Sequence, residues 1–372
     1  MPEIDGAPAG RDARSPRRGE EGQGAPLYAA LDLGTNNCRL LIARPARDGF
    51  RVVDSFSRIV RLGEGITHTG RLDPLAMDRA YEALGLCAER LARRSIASTR
   101  LSAVATQACR QAENGPDFIE RVRSGTGLNL RIIDPDEEAR LSVEGCRNLL
   151  DHSTEAALII DVGGGSTELS WLRRAGPGFE TVAWMSAPVG VVTLAERFPE
   201  PATGLDAWFE AMVGHMAAAV SSAQVDPGLS GLFADGRGHL IGTSGAITSL
   251  AGVHLGLKRY RRDQVDGLWM TRAQCEAAAT RLLNLGPAGR AADGCIGIER
   301  ADLVMAGAAI LEAVQRGWPS ERVRVADRGL REGLLLQRMR EDRTSGGRQG
   351  RRRRRGQPAG GGGGGGGGGS ST

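Results

Sequence analysis

Three short turns of small residues each follow an apolar, strand-like stretch: Gly34-Thr35-Asn36-Asn37, Gly163-Gly164-Gly165-Ser166-Thr167 and Gly242-Thr243-Ser244-Gly245. Glycine lets a backbone close on a ligand, and successive N–H groups in such turns form a nest for anions. The hydroxyls of Thr35, Ser166, Thr167 and Ser244 and the amide of Asn37 would add donors for phosphate oxygens. Any one turn alone reads as an ordinary hairpin. Two of them share the pattern Asp-x-Gly, and with the third they point to a cleft that holds phosphate. The sequence carries no GxxxxGK[ST] loop, and no GxGxxG follows a strand in the required context. The phosphates are therefore expected between hairpins, not at one helix N-terminus.

Carboxylates accompany the turns. Asp32 and Asp161 end the two matching strands, and Glu168 follows Thr167. Hard oxygen ligands of this kind suit Mg²⁺, which keeps several waters and takes one or two carboxylates plus phosphate. The alternative is that either aspartate bonds its own turn backbone. Asp136-Glu137-Glu138 stands at an expected helix start, where the dipole alone favours acidic residues. Capping accounts for two of the three, whereas a carboxylate facing a phosphate would orient and deprotonate water. Arg110 is either a bidentate phosphate contact or a surface arginine.

These residues need a scaffold, and its grammar is repeated. Strands are expected at Tyr28–Leu33, Cys38–Ala43 and Phe50–Phe56, then at Leu101–Thr106 and Leu130–Ile133. Asp73-Pro74 signals a helix start, Pro116–Val122 reads as helical, and Asp134-Pro135 opens a helix running to about Leu150. From Ala156 the order of apolar strand, Asp, glycine turn and returning strand recurs, implying two related α/β domains. Helices are then expected at Leu205–Ala223, Thr271–Leu285, Asp302–Gln315 and Arg331–Met339, with a strand at Gly238–Ile241.

Composition sets the outer bounds. The 372 residues are 41% hydrophobic and 25% charged, ordinary for a chain of two globular domains. No apolar run approaches a membrane span, and the polar residues 1–26 read as a disordered leader and not as a secretory signal. The net charge of +4 comes from the end of the chain, where residues 338–372 hold nine arginines against Glu341 and Asp342. Lys258 is the only lysine, which reads as compositional bias before chemistry. The Arg/Gly-rich segment 341–372 is expected to be disordered and solvated, so no specific nucleic acid is expected as partner. Six cysteines without a CxxC pair fit free thiols in a reducing cytoplasm and make zinc improbable.

Six stretches, in this order, resemble the exopolyphosphatase/guanosine pentaphosphate phosphohydrolase (Ppx/GppA) family. They are residues 30–37, 105–112, 137–141, 160–169, 242–245 and 330–333, spread over roughly 27–340. The resemblance implies an α/β fold of two ribonuclease H-like domains, as in actin, Hsp70 and the sugar kinases, with an interdomain cleft. We expect these domains at 27–141 and 142–340. It implies Mg²⁺-dependent hydrolysis of a terminal phosphate, with Glu138 as the catalytic carboxylate. Asp161 and Glu168 fall on acidic positions of the metal and phosphate centre, and Arg110 on a phosphate-contacting arginine. Asn37 and Cys38 depart from the family's usual serine and larger residue, and Arg328 replaces a usual glycine. The extra C-terminal helical domains of long members are absent from the pattern, which bears on processivity. The implied substrate is polyphosphate, with guanosine pentaphosphate as the alternative and a homodimer as an expected assembly. Two rival readings are a kinase or ATPase of the same fold, and a non-catalytic sensor of polyphosphate or the alarmone.

Overall fold

The computed structural model describes residues 25–47 and 49–355, with side chains described as far as residue 344. Residues 1–24 of the expected leader and 356–372 of the expected tail lie outside the described residues.

The first sheet is built from β1 (Tyr28–Leu33), β2 (Asn37–Ala46), β3 (Gly49–Ile59), β4 (Leu101–Ala105) and β5 (Arg131–Ile132). Its order is β3-β2-β1-β4-β5: an antiparallel meander of three strands extended by two parallel ones. The helices of this half are α1 (Ile66–Thr69), α2 (Pro74–Arg93), α3 (Gln107–Gln111), α4 (Gly115–Thr126) and α5 (Pro135–Cys146). Asp73 caps α2, accepting from the N–H groups of Leu75 at 2.9 Å and Ala76 at 3.1 Å, with Pro74 pre-set at the first position.

The second sheet repeats the plan with β6 (Ala156–Val162), β7 (Thr167–Ala175), β8 (Gly178–Ala187), β9 (Gly238–Thr243), β10 (Trp269–Thr271) and β11 (Arg322–Ala326). Its order is β10-β11-β9-β6-β7-β8, so β6-β7-β8 matches β1-β2-β3, β9 and β11 match the parallel pair, and β10 is an added antiparallel edge. Its helices are α6 (Val191–Arg197), α7 (Leu205–Val220), α8 (Pro227–Ala234), α9 (Gly245–His254), α10 (Arg262–Val265), α11 (Arg272–Ala292) and α12 (Val304–Gly317). Two sheets of this order are the two ribonuclease H-like units of the actin-like architecture. Among the described residues no helix is long and apolar enough to cross a membrane.

The last helix, α13 (Leu330–Arg355), leaves the second sheet and returns to the first. Leu330, Leu334, Leu335 and Met339 pack with Tyr28, Ala30, Leu41 and Val104, and with Leu141 of α5. The opposite side of α5 sends Val143 and Cys146 into the cluster beneath the second sheet, with Ile159, Phe179 and Ile241. Thus α5 and α13 lie between the sheets, and glycines let their backbones meet. A Cβ on Gly333 would stand 2.0 Å from the Leu141 carbonyl oxygen, and one on Gly145 would stand 2.0 Å from the Gly329 carbonyl oxygen.

A methyl there has no flexible neighbour to displace. Gly333→Ala is therefore expected to cost about 1–3 kcal/mol of overpacking, more than the about 1 kcal/mol that alanine gains in a helix. Gly85→Ala in α2, where nothing lies within 4 Å, should keep that gain and raise the melting temperature. Thermal unfolding of the two variants checks the opposite signs.

The helix also corrects the expected end of structure near residue 340, since its backbone remains helical to Arg355. The packed segment 330–339 nucleates the helix, and the arginines, Glu341 and Gln349 favour its continuation against Gly346, Gly347 and Gly350.

Candidate active site

The two Asp-x-Gly turns occupy equivalent places at the ends of β1 and β6. Asp32 pairs in register with Arg39 across β1–β2, and Asp161 pairs with Glu168 across β6–β7. Each turn is closed by a backbone bond, Gly34 N–H to Asn37 O at 2.8 Å and Gly163 N–H to Ser166 O at 2.9 Å. The turns then meet tip to tip. A Cβ on Gly164 would lie 2.9 Å from Thr35 Cβ and 3.1 Å from the Asn36 nitrogen, so only glycine fits this approach.

Neighbouring segments hold the turns from outside. Gly63 N–H donates to Thr35 O at 2.9 Å and Val60 N–H to Asn36 O at 2.9 Å. Across the gap, Val191 and Val192 at the start of α6 donate to the carbonyls of Gly163 and Gly164 at 3.0 and 2.7 Å. Two clasps join the halves. Arg61 grips Asp302 through two bonds of 2.9 and 3.1 Å, and Gly65 N–H donates to Glu196 Oε1 at 3.0 Å.

A cleft of about 540 Å³ opens between the turns. Its walls take in Asp32, Gly34, Thr35, Asn36 and Asn37 from the first turn, Asp161 and Gly163–Ser166 from the second, and Ser244 and Gly245 from the third. Ser244 has φ of 151°, a backbone region that costs a non-glycine residue about 1–3 kcal/mol. Its Oγ accepts from the N–H groups of Ala246 and Ile247 at 3.2 Å each, capping α9, so its hydroxyl proton is left to donate toward the cleft.

Helix α5 delivers Glu138 to the same cleft. The cap of this helix is Asp134, which accepts from Glu137 N–H at 2.7 Å. The expected capping by two of Asp136, Glu137 and Glu138 is thereby corrected: Asp136 pairs outward with Arg140, and Glu137 with Arg131. Glu138 alone turns inward and is 8% exposed. One turn later Ser142 donates to Asp161 Oδ2, so a single helical face serves both carboxylates.

Not every expected residue lines the cleft. Arg110 stands behind Glu138, donating to Glu138 Oε2 at 3.2 Å and to Ile133 O at 2.6 Å. Thr167 spends its hydroxyl on Val189 O at 2.6 Å, and Gly242 is buried within β9 against Ile247. Glu168 lies one layer back, 2% exposed, its Oε1 accepting from Ser166 and Ser186 at 2.8 Å each.

The site is a concentration of buried negative charge. Burial, and then the neighbouring Glu168, push Glu138 well above the usual carboxylate range, against the lowering pull of Arg110. Burial and Asp161 raise Glu168 to about 7, and burial raises Asp32 to about 6 despite Arg39. Burial likewise raises Asp161, with the Ser142 bond opposing. Asp32 Oδ1 is buried without a hydrogen-bond partner among the described residues, as are the side-chain oxygens of Asn36 and Asn37. Among the described residues no three His, Cys, Asp or Glu side chains converge tightly enough to hold an ion unaided. That donor set fits Mg²⁺ held by one or two carboxylates, water and substrate oxygens.

Sequence reading missed the arginines of the far wall: Arg39, Arg262, Arg300, Arg328 and Arg331 line the cleft. Arg328 is tied to Asp266 and Arg262 to Asp327 and Glu332. No ion pair engages Arg39, Arg300 or Arg331 among the described residues. Burial and the charges of Arg331 and Arg300 lower the proton affinity of Arg39, while Asp32 and Asp327 raise it, so the three guanidiniums stand near carboxylates without a direct ion pair among the described residues. Arg331 lies in the motif stretch 330–333, while Arg39 reaches the cleft through its register against Asp32 and the others through tertiary folding.

The Ppx/GppA phosphatase family model matches residues 41–342. Among solved structures, the chain is similar to the Aquifex aeolicus member of that family (25% identity, TM-score 0.67, 85% of this chain and 98% of the other). It is also similar to an exopolyphosphatase from Cytophaga hutchinsonii (23% identity, TM-score 0.72, 83% and 96%). A third similar structure is an exopolyphosphatase-like protein (28% identity, TM-score 0.72, 84% and 97%).

Proposed function

The chain belongs to the Ppx/GppA phosphatase family, and from that premise we propose that it hydrolyses the terminal phosphate of inorganic polyphosphate, releasing orthophosphate. The observation that carries this reading is the meeting of one inward carboxylate, Glu138, with Arg39, Arg300 and Arg331 in one cleft, the three arginines being in no direct ion pair among the described residues. A linear polyanion needs positive charge beyond its reacting end, and these guanidiniums would supply it without a direct ion pair to break.

In this reading the terminal phosphoryl group rests on the N–H groups and hydroxyls of the three glycine turns. Asp32 and Asp161 would hold Mg²⁺, which supplies neutralising charge to the phosphoryl oxygens when bound. Glu138, steadied by Arg110, accepts a proton from a water aligned for in-line attack. The raised proton affinity of Glu138 makes it a better base than an exposed carboxylate. The water oxygen bonds to phosphorus as the bridging P–O bond breaks, and the shortened chain departs with the bond's electron pair. Such catalysis is positioning and electrostatics.

The test is phosphate release from long polyphosphate, tripolyphosphate and guanosine pentaphosphate at matched concentrations of phosphate ends. The highest kcat/KM is expected on polyphosphate. Preference for guanosine pentaphosphate would transfer the assignment to that nucleotide. Tight binding with no release in Mg²⁺ would make the protein a sensor.

A further inference from the structure

Three residues before Arg110, the short helix α3 places a half-buried glutamine, Gln107, on the wall of the cleft. This spacing puts the two side chains on one face of the helix. Arg110 donates to Glu138 Oε2 at 3.2 Å, whereas Gln107 reaches the phosphate turns. Gln107 Oε1 accepts from Thr35 Oγ1 at 3.2 Å, and Gln107 Nε2 donates to Gln111 Oε1 at 3.2 Å, one turn further along α3. The second bond sets which way the amide faces, with its oxygen toward the first turn.

The same oxygen stands against the second turn. A Cβ on Gly165 would lie 1.5 Å from Gln107 Oε1 and 2.6 Å from Gln107 Cδ, so the amide fills the space of a side chain there. Gly164 meets Thr35 and Asn36 in the same way. Two successive glycines of the second half are thus fitted to two different parts of the first half. Gln107 is a wedge between the turns.

A neutral acceptor suits this place. Thr35 is 4% exposed, and its hydroxyl would lose its acceptor beside an apolar wedge such as methionine. A carboxylate would accept the bond, but it would add charge to a cleft that already holds Asp32, Glu138 and Asp161. The amide supplies the acceptor without the charge.

We infer that Gln107 is a positioning residue, which holds the two phosphate turns at a fixed separation and, through α3, in register with Glu138. The inference rests on the reading of the cleft as a phosphohydrolase site.

Gln107→Ala removes both the wedge and the Thr35 bond. It should lower kcat on tripolyphosphate by about 10–100-fold, as a reacting group misplaced by about 1 Å does. Arg110 keeps its bond to Ile133 O at 2.6 Å, so the acid limb of the pH profile, set by Glu138, should stay at its wild-type position. Gln107→Glu keeps the volume and the acceptor and adds one charge. At pH 8 it should hold kcat within about threefold of wild type while raising KM about tenfold, because like charges meet in the cleft. Added salt should shrink that rise. Binding of inorganic phosphate in Mg²⁺, followed by phosphorus NMR, should weaken about tenfold in the same variant. A merely structural role would not divide kcat from KM between the two variants. Wild-type kcat in Gln107→Ala, a displaced acid limb, or unchanged phosphate affinity in Gln107→Glu would overturn the inference. If the wild-type chain releases no phosphate, the hydrolase reading falls, and phosphate affinity then decides the role of Gln107: weaker binding by Gln107→Glu supports it, and equal binding overturns it.

Discussion

Replacing Glu138 with glutamine is expected to lower kcat by about 10²–10⁴-fold, the usual contribution of a positioned general base. The amide keeps the volume of the side chain and an oxygen for Arg110, which donates to Glu138 Oε2 at 3.2 Å. Helix α5 is capped by Asp134, so the substitution leaves the helix start intact. One negative charge also disappears beside an anionic substrate, so KM should hold or fall while kcat collapses. The pH profile gives a second reading. The base must be ionised, so wild-type kcat/KM rises with pH through the affinity of Glu138 for its proton. Burial and Glu168 set that affinity above the ordinary carboxylate range. The acid limb of the profile therefore lies above that range, and the glutamine variant loses it. Steady-state phosphate release across pH measures both effects. Near wild-type turnover by the variant would remove Glu138 from the chemistry.

The expectation of two hairpin-led α/β units is met where the chain announces itself locally. The apolar runs and glycine stops around Asp32 and Asp161 gave both hairpins, and Asp73-Pro74 and Asp134-Pro135 gave two helix starts through their caps. Strands β8, β10 and β11 were not legible. Arg322–Ala326 alternates arginine with valine, a strand pattern too short to stand out until its pairing with Leu240–Thr243 is seen. The site divides in the same way. The turns were readable because glycine's freedom is a local property. The sequence could not tell that Thr167 spends its hydroxyl on Val189 O, or that Arg110 backs Glu138 instead of lining the cleft. Nor could it give the arginine wall, because Arg39, Arg300 and Arg331 come from three distant segments whose approach depends on how the two sheets are set.

The buried carboxylates make a second strong prediction, in which stability and activity move in opposite directions. Glu168 is almost fully buried and is held by two serine hydroxyls, with no ion pair among the described residues. Its folded-state proton affinity, at about 7, lies above the unfolded value near 4.5. The folded state therefore prefers the neutral acid. The stability this preference brings is fully present below the unfolded value and is lost as pH rises through about 7. At alkaline pH without metal, the ionised group costs the fold on the order of 3 kcal/mol. Glu168→Gln cannot ionise, and its amide oxygen still accepts from Ser166 and Ser186. In EDTA at pH 8 the variant should melt several degrees above wild type, and the gap should close toward pH 5. If the proposed mechanism holds, turnover should fall in the same variant, because a negative charge is lost just behind Asp161, one of the two carboxylates that would hold Mg²⁺. Thermal unfolding at the two pH values, with phosphate release beside it, separates the effects. A gap of equal size at both pH values, or a variant less stable than wild type at pH 8, would show that the Glu168 charge is compensated. The negative charge kept at Glu168 would then have no energetic cost for catalysis to justify.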